Sequence, residues 1–104
     1  MDLAVRVVRM VEGLPRKLMT RHISQQLLRA ATAGGANYQE ARHAESRADF
    51  IHKVRVAAKE TSETLYWLQL LERLGVSDLG PLMREADELV AILVASANTA
   101  RANS

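Results

Sequence analysis

A chain of 104 residues, 48% apolar and 25% charged, has the size of one globular domain and is too short for two hydrophobic cores. It contains no Cys, which excludes disulfides, Cys-ligated zinc, iron–sulfur clusters and thiol chemistry. Its apolar runs fall short of the ~20 uncharged residues of a membrane span, and no secretory leader is visible, so a cytoplasmic protein is expected. One Phe, one Trp and two Tyr argue against the aromatic platforms that stack single-stranded bases. The net charge of +2 is unevenly spread: residues 1–59 carry 11 of the 14 Lys and Arg with 5 acids, a balance of +6, whereas residues 60–104 balance at −4. That asymmetry suits a surface facing a polyanion or an assembly of complementary charge.

Apolar residues recur at spacings of three and four almost throughout, so the fold class is all-α. The first helix is predicted over residues 2–12, with Ala4, Val7, Val8 and Val11 on one face, stopped by Gly13 and Pro15. A second runs from Arg16 to Arg42, with Ile23, Leu27, Ala30, Ala31, Gly34, Tyr38 and Ala41 at helical spacing. Gly34 and Gly35 lie in its middle, each costing about 1 kcal/mol relative to Ala, which points to a kink or to close approach by another helix. Ser46 and Asp49 have the spacing of a capping box and open the third helix. There Phe50, Val54, Ala57, Thr61, Thr64, Leu68 and Leu71 step alternately by four and three, a seven-residue bundle seam. Gly75 ends this helix and Asp78 is placed to cap the fourth, whose seam is Leu82, Ala86, Leu89, Leu93 and Ala97 and whose end is near Ala100, with residues 101–104 frayed. Short connections then give an antiparallel up-down-up-down four-helix bundle in a single domain over residues 1–104. Ile92 points away from the fourth seam, with Ala91 and Ala95 nearby, and so wide an apolar arc is explained by assembly into an oligomer.

The second helix reads Ile23-x-x-Gln26-Leu27-x-Arg29-Ala30-Ala31, then Asn37 and Glu40; Asp49-Phe50, Ala57 and Glu63 follow on the third. Over about residues 3–75 this resembles the four helix bundle protein family, also called the 23S rRNA intervening-sequence or S23 type. Gly35 stands where that family has Pro, Ala41 where it has Gly, and Lys59-Glu60 where it has Gly-Ser; the N-terminal aromatic segment is missing. The resemblance implies a homopentamer of bundles that binds RNA or DNA. In the branch that resembles the accessory proteins of diversity-generating retroelements, it also implies a reverse transcriptase as partner.

Two groups of residues carry the functional expectation. Gln26, Arg29, Asn37 and Glu40 fall on one flank of the second helix, beside its seam, and with Glu63 form a candidate structural or interface network. Arg29 and Glu40 lie eleven residues apart, ~16 Å along the axis, so each must find partners on another helix or another subunit. On the third helix His52, Arg55 and Lys59 make a row opposite the seam, flanked by Glu45 and Glu63, which Arg42, Arg47 and Lys53 would extend. Such a row suits a phosphate backbone, and it suits equally a solvated face.

Enzymatic readings are thinner. Arg47 and His52 match the Arg-x4-His spacing of HEPN-type ribonucleases, in which His would act on the ribose 2′-hydroxyl and Arg on the phosphoryl charge. Five residues turn about 500° of helix, however, which puts the two on different faces. His22, His43 and His52 show no i,i+4 pairing for a metal. Gly34-Gly35 lacks the Lys-Ser/Thr of a phosphate loop. No cofactor and no metal are expected, and the chain reads as a non-enzymatic protein with a basic surface.

Overall fold

The computed structural model describes residues 2–103. It is all-α, with helices α1 (Asp2–Glu12), α2 (Leu18–Ala41), α3 (Arg47–Arg73) and α4 (Gly80–Ala102) and no strand among the described residues. The molecule measures 48 × 20 × 18 Å. Helix α3 packs against α2 and α4, and α1 packs against the same two. At 1.5 Å per residue α1 is only ~16 Å long and covers less than half of α2 and α4.

The seams follow the sequence periods closely. Val54, Ala57, Thr61, Thr64, Leu68 and Leu71 of α3 are buried, as are Leu82, Ala86, Leu93 and Ala97 of α4. Around Leu27, Leu68, Leu71 and Leu79 the core holds large side chains; around Ala41, Val54, Ala57, Leu93 and Ala97 it is built mostly from small ones. The buried hydroxyls of Thr61 and Thr64 donate to the carbonyls of Ala57 (2.7 Å) and Glu60 (2.9 Å), one turn back. Such back-bonding lets a hydroxyl sit in an apolar seam without an unsatisfied donor.

The helix α2 runs unbroken through Gly34. A Cβ built there would stand 3.0 Å from the Thr61 hydroxyl oxygen, so the alternative of a close approach, and not a kink, accounts for the glycine. On α1 the inward set is shifted from the expected one: Leu3 and Val7 are buried, while Val8 is 38% exposed. Val8 lies ~100° round the helix from Val7, beyond the arc that α2 and α4 cover.

The ends differ from expectation in four places. Helix α2 begins at Leu18, two residues late, with Lys17 as an N-cap that offers no side-chain acceptor and no acid in the first turn. Ser46 caps α3 as predicted, its hydroxyl accepting from the Asp49 N–H (3.0 Å), but the Asp49 carboxylate accepts from Glu45 N–H (3.4 Å). The turn after α3 closes with Gly75 at φ +101° and bonds from Gly75 N–H to Glu72 O and Val76 N–H to Leu71 O, the double closure that a left-handed glycine permits. Asp78 does not cap α4: it takes a left-handed φ of +64° and the N-cap is Leu79. Burial of Leu79 in the core sets that corner. Helix α4 continues to Ala102 rather than fraying after Ala100.

These contacts predict that Ala57→Leu lowers stability by roughly 1–3 kcal/mol, since Ala57 is fully buried and an added isobutyl group must displace its neighbours. The exposed Ala48→Leu on the same helix should change it by less than ~0.5 kcal/mol. Urea unfolding midpoints check both, and an unchanged midpoint for Ala57→Leu would contradict the packing.

Candidate nucleic-acid interface

The outer side of α3 is where the candidate cations gather. His52, Arg55 and Lys59 are all exposed and none is bonded to a carboxylate. The same four-and-three spacing continues past them through Ser62, Tyr66, Gln69 and Arg73, also exposed. From His52 to Arg73 this line is ~32 Å long and contains no acid. Tyr66 and Arg73 lie beyond the predicted row, which ends at Lys59, and the continuing period in the sequence is the signal that places them.

Of the two acids expected to flank this row, Glu45 lies exposed before α3 begins and Glu63 is engaged on the α2 side. Glu63 accepts from the Arg29 guanidinium, across from α2, and from the Trp67 indole N–H (3.1 Å). Arg29 also donates to Glu60 at 2.9 Å. Burial of Glu60, whose side chain is 13% exposed, fixes one end of this fork, and the bidentate geometry of Arg fits two carboxylates at once. The Trp67 ring stands edge-on to Tyr66 at 4.9 Å and to His22 at 6.4 Å. The indole hydrogen bond, with the guanidinium and the charge of Lys59 behind it, holds the Glu63 carboxyl below the usual carboxylate range; the two carboxylates in turn raise Arg29.

The remaining candidates divide. Lys53 donates to Glu40 at 2.7 Å, a bond that raises its pKa and engages its charge within the chain. The Arg47 guanidinium bonds the Asn103 carbonyl at the end of α4. It is therefore directed to a different helix end from the exposed His52, and no contact joins the two as a ribonuclease pair would require. Arg42 is exposed at the C-cap of α2, where the helix dipole favours a cation. Of the network residues, Arg29, Glu63 and Glu40 make interhelical bonds, the first two to each other and the third to Lys53. Asn37 instead donates to Ala33 O within its own helix (2.9 Å), and Gln26 is half-buried without a bond. Glu60 was missed because its α2-facing position shows only once α2 and α3 are docked. No group of three His, Asp or Glu side chains among the described residues is arranged to hold a metal ion.

A family model described as 23S rRNA-intervening sequence protein matches residues 1–95. The chain belongs to that family. The match extends beyond the third helix, where the motif resemblance ended, into α4. A crystal structure from Bacteroides thetaiotaomicron, of a protein with unknown function from the S23 ribosomal protein family, is 36% identical; 92% of each chain is covered and the TM-score is 0.85. No curated protein matches the chain. Within this family member, no helix among the described residues is long and apolar enough to cross a membrane.

The fork at Glu63 has a pH signature. A carboxyl whose pKa is lowered on folding stabilises the native state above the ordinary carboxylate range, and that contribution is lost as pH falls through the lowered value. Trp67 is the single Trp, so its fluorescence reports directly on its partner. Acid titration of the native protein should show a fluorescence step below the usual Glu value of about 4.3, absent in Glu63→Gln. A step at the ordinary Glu value, or one that persists in the variant, would contradict the assignment.

Proposed function

We propose that this protein is a non-enzymatic, homo-oligomeric helical bundle, running up-down-up-down and assembling as a pentamer, that presents the outer face of α3 to RNA or to a nucleoprotein partner such as a reverse transcriptase. The alternating direction is supported by the interhelical pairs: Arg29 meets Glu60 and Glu63 while Glu40 meets Lys53, so a step forward along α2 is a step back along α3. Likewise Arg47, at the start of α3, reaches Asn103 at the end of α4. Assembly is supported by Ile92 and Val94, exposed on the two flanks of the buried Leu93 of α4, apolar side chains that a lone chain would leave in water.

The observation that carries the nucleic-acid reading is the acid-free line of His52, Arg55, Lys59 and Arg73. Arg55 and Lys59, one turn apart, and Arg73, about four turns on, can each contact a phosphate, and several copies of the line in one assembly act together on a single polymer. The absence of a recognition element among these residues favours contacts to backbone over base edges, and hence weak sequence preference. The family's name refers to an RNA, which agrees with a polyanionic partner.

Fluorescence anisotropy with labelled single-stranded RNA and with duplex DNA over a salt series tests this. Binding should weaken linearly on a log–log plot, and Arg55→Ala with Lys59→Ala should reduce the slope by about 0.7–0.9 for each phosphate contact removed. The oligomer should be unchanged. No binding to either polymer at ~50 mM salt, where screening is weakest, would leave the exposed apolar surface of α4 as the favoured observation and the protein as an assembly scaffold. Cleavage of the RNA, lost in His52→Ala, would establish the ribonuclease reading instead.

A further inference from the structure

Beside Leu3 and Ala4 of α1, helices α2 and α4 enclose a groove. This groove, of about 300 Å³, is floored by Gly35, Thr61 and Leu89 and rimmed by Tyr38, Ile92 and Glu88. Its apolar rim is exposed, Tyr38 to 43% and Ile92 to 61%. Glu88 is exposed and makes no ion pair.

At the other end of α2 the surface is of the opposite kind. Leu18 and Met19 are 80% and 66% exposed, the most exposed large apolar side chains among the described residues. They sit among three exposed cations, Arg16, Lys17 and Arg21, none of them ion-paired. An apolar pair flanked by positive charge matches an apolar groove with an acidic rim. The corner cannot reach the groove of its own chain, since Leu18 and Gly35 are seventeen residues apart on one helix, ~25 Å.

We propose that the groove between α2 and α4 receives the Leu18–Met19 corner of a second copy of this chain, with Glu88 facing Lys17 or its neighbours. The inference rests on the self-assembly reading above and supplies its contact. It also explains why the basic first half and the acidic second half of the chain coexist: each copy offers both. A contact between two different patches is heterologous, and repeated with a fixed rotation it closes into a ring.

The test uses three full-length proteins and light scattering coupled to size exclusion. The wild type should run as a multimer. Leu18→Asp with Met19→Asp, and separately Glu88→Lys with Ile92→Lys, should each run as monomers with unchanged helical circular dichroism, since all four positions are exposed. Mixed one to one, the two variants should give a mass of two chains and no more, because the intact groove of one can hold the intact corner of the other but the chain of contacts stops there. A mixture that stays monomeric overturns the proposal, as does either variant keeping the wild-type mass, which would leave the groove to another occupant. A monomeric wild type would instead remove the self-assembly reading itself and the inference with it.

Discussion

The close approach of α2 to α3 at Gly34, where an added methyl group would crowd the Thr61 hydroxyl, governs how this small protein is put together. A glycine inside a helix costs about 1 kcal/mol relative to alanine, a cost offset at Gly34 by packing that a larger side chain would prevent. The facing segment of α3 is built to match, with Ala57, Thr61 and Thr64 presenting small side chains whose hydroxyls are satisfied within the helix. One face of α3 thereby receives both α2 and α4. Its opposite face is covered by nothing in the chain.

That uncovered face gives the electrostatics their consequence. Glu60 and Glu63 both lie on the flank of α3 turned to α2, where Arg29 holds them, and Lys53 is drawn to Glu40 on the same side. These are partly exposed pairs of modest strength, so their main effect is on placement. Glu60 and Glu63 are directed toward α2, and His52, Arg55, Lys59 and Arg73 are left on a line that contains no acid and makes no ion pair. A polyanion approaching the outside of α3 meets Arg55 and Lys59, which no carboxylate binds, with Glu72 exposed farther along beside Arg73.

Helical content, the α3 and α4 seams and the Ser46 cap were legible in the sequence because each rests on local spacing: period, capping residue and glycine stop act within a few turns. The features that were not legible depend on docking. Val8 was expected inside, and Leu3 was not in the expected set, because the arc of α1 that is buried is decided by where α2 and α4 lie. Asp78 has the right residue type for a cap, but burial of the next residue, Leu79, places the helix start one position on. Within the site, the cation row could be read from the chain, whereas the fate of Glu63 could not. It flanks the row in sequence and is engaged by Arg29 and Trp67 in the fold. The eleven-residue separation of Arg29 and Glu40 did require partners elsewhere, and both meet α3.

On the proposed reading a polyanion lies along the outer face of α3, and the three lysines of the chain sample the alternatives. Lys59 is on that face, Lys53 is bonded to Glu40, and Lys17 is at the α1–α2 corner. Acetylation by a small reagent, read by mass spectrometry with and without single-stranded RNA at low salt, should show Lys59 shielded by the RNA while Lys53 and Lys17 keep the reactivity they have in the protein alone. Bound RNA that shields Lys17 and leaves Lys59 as reactive as before would contradict the account.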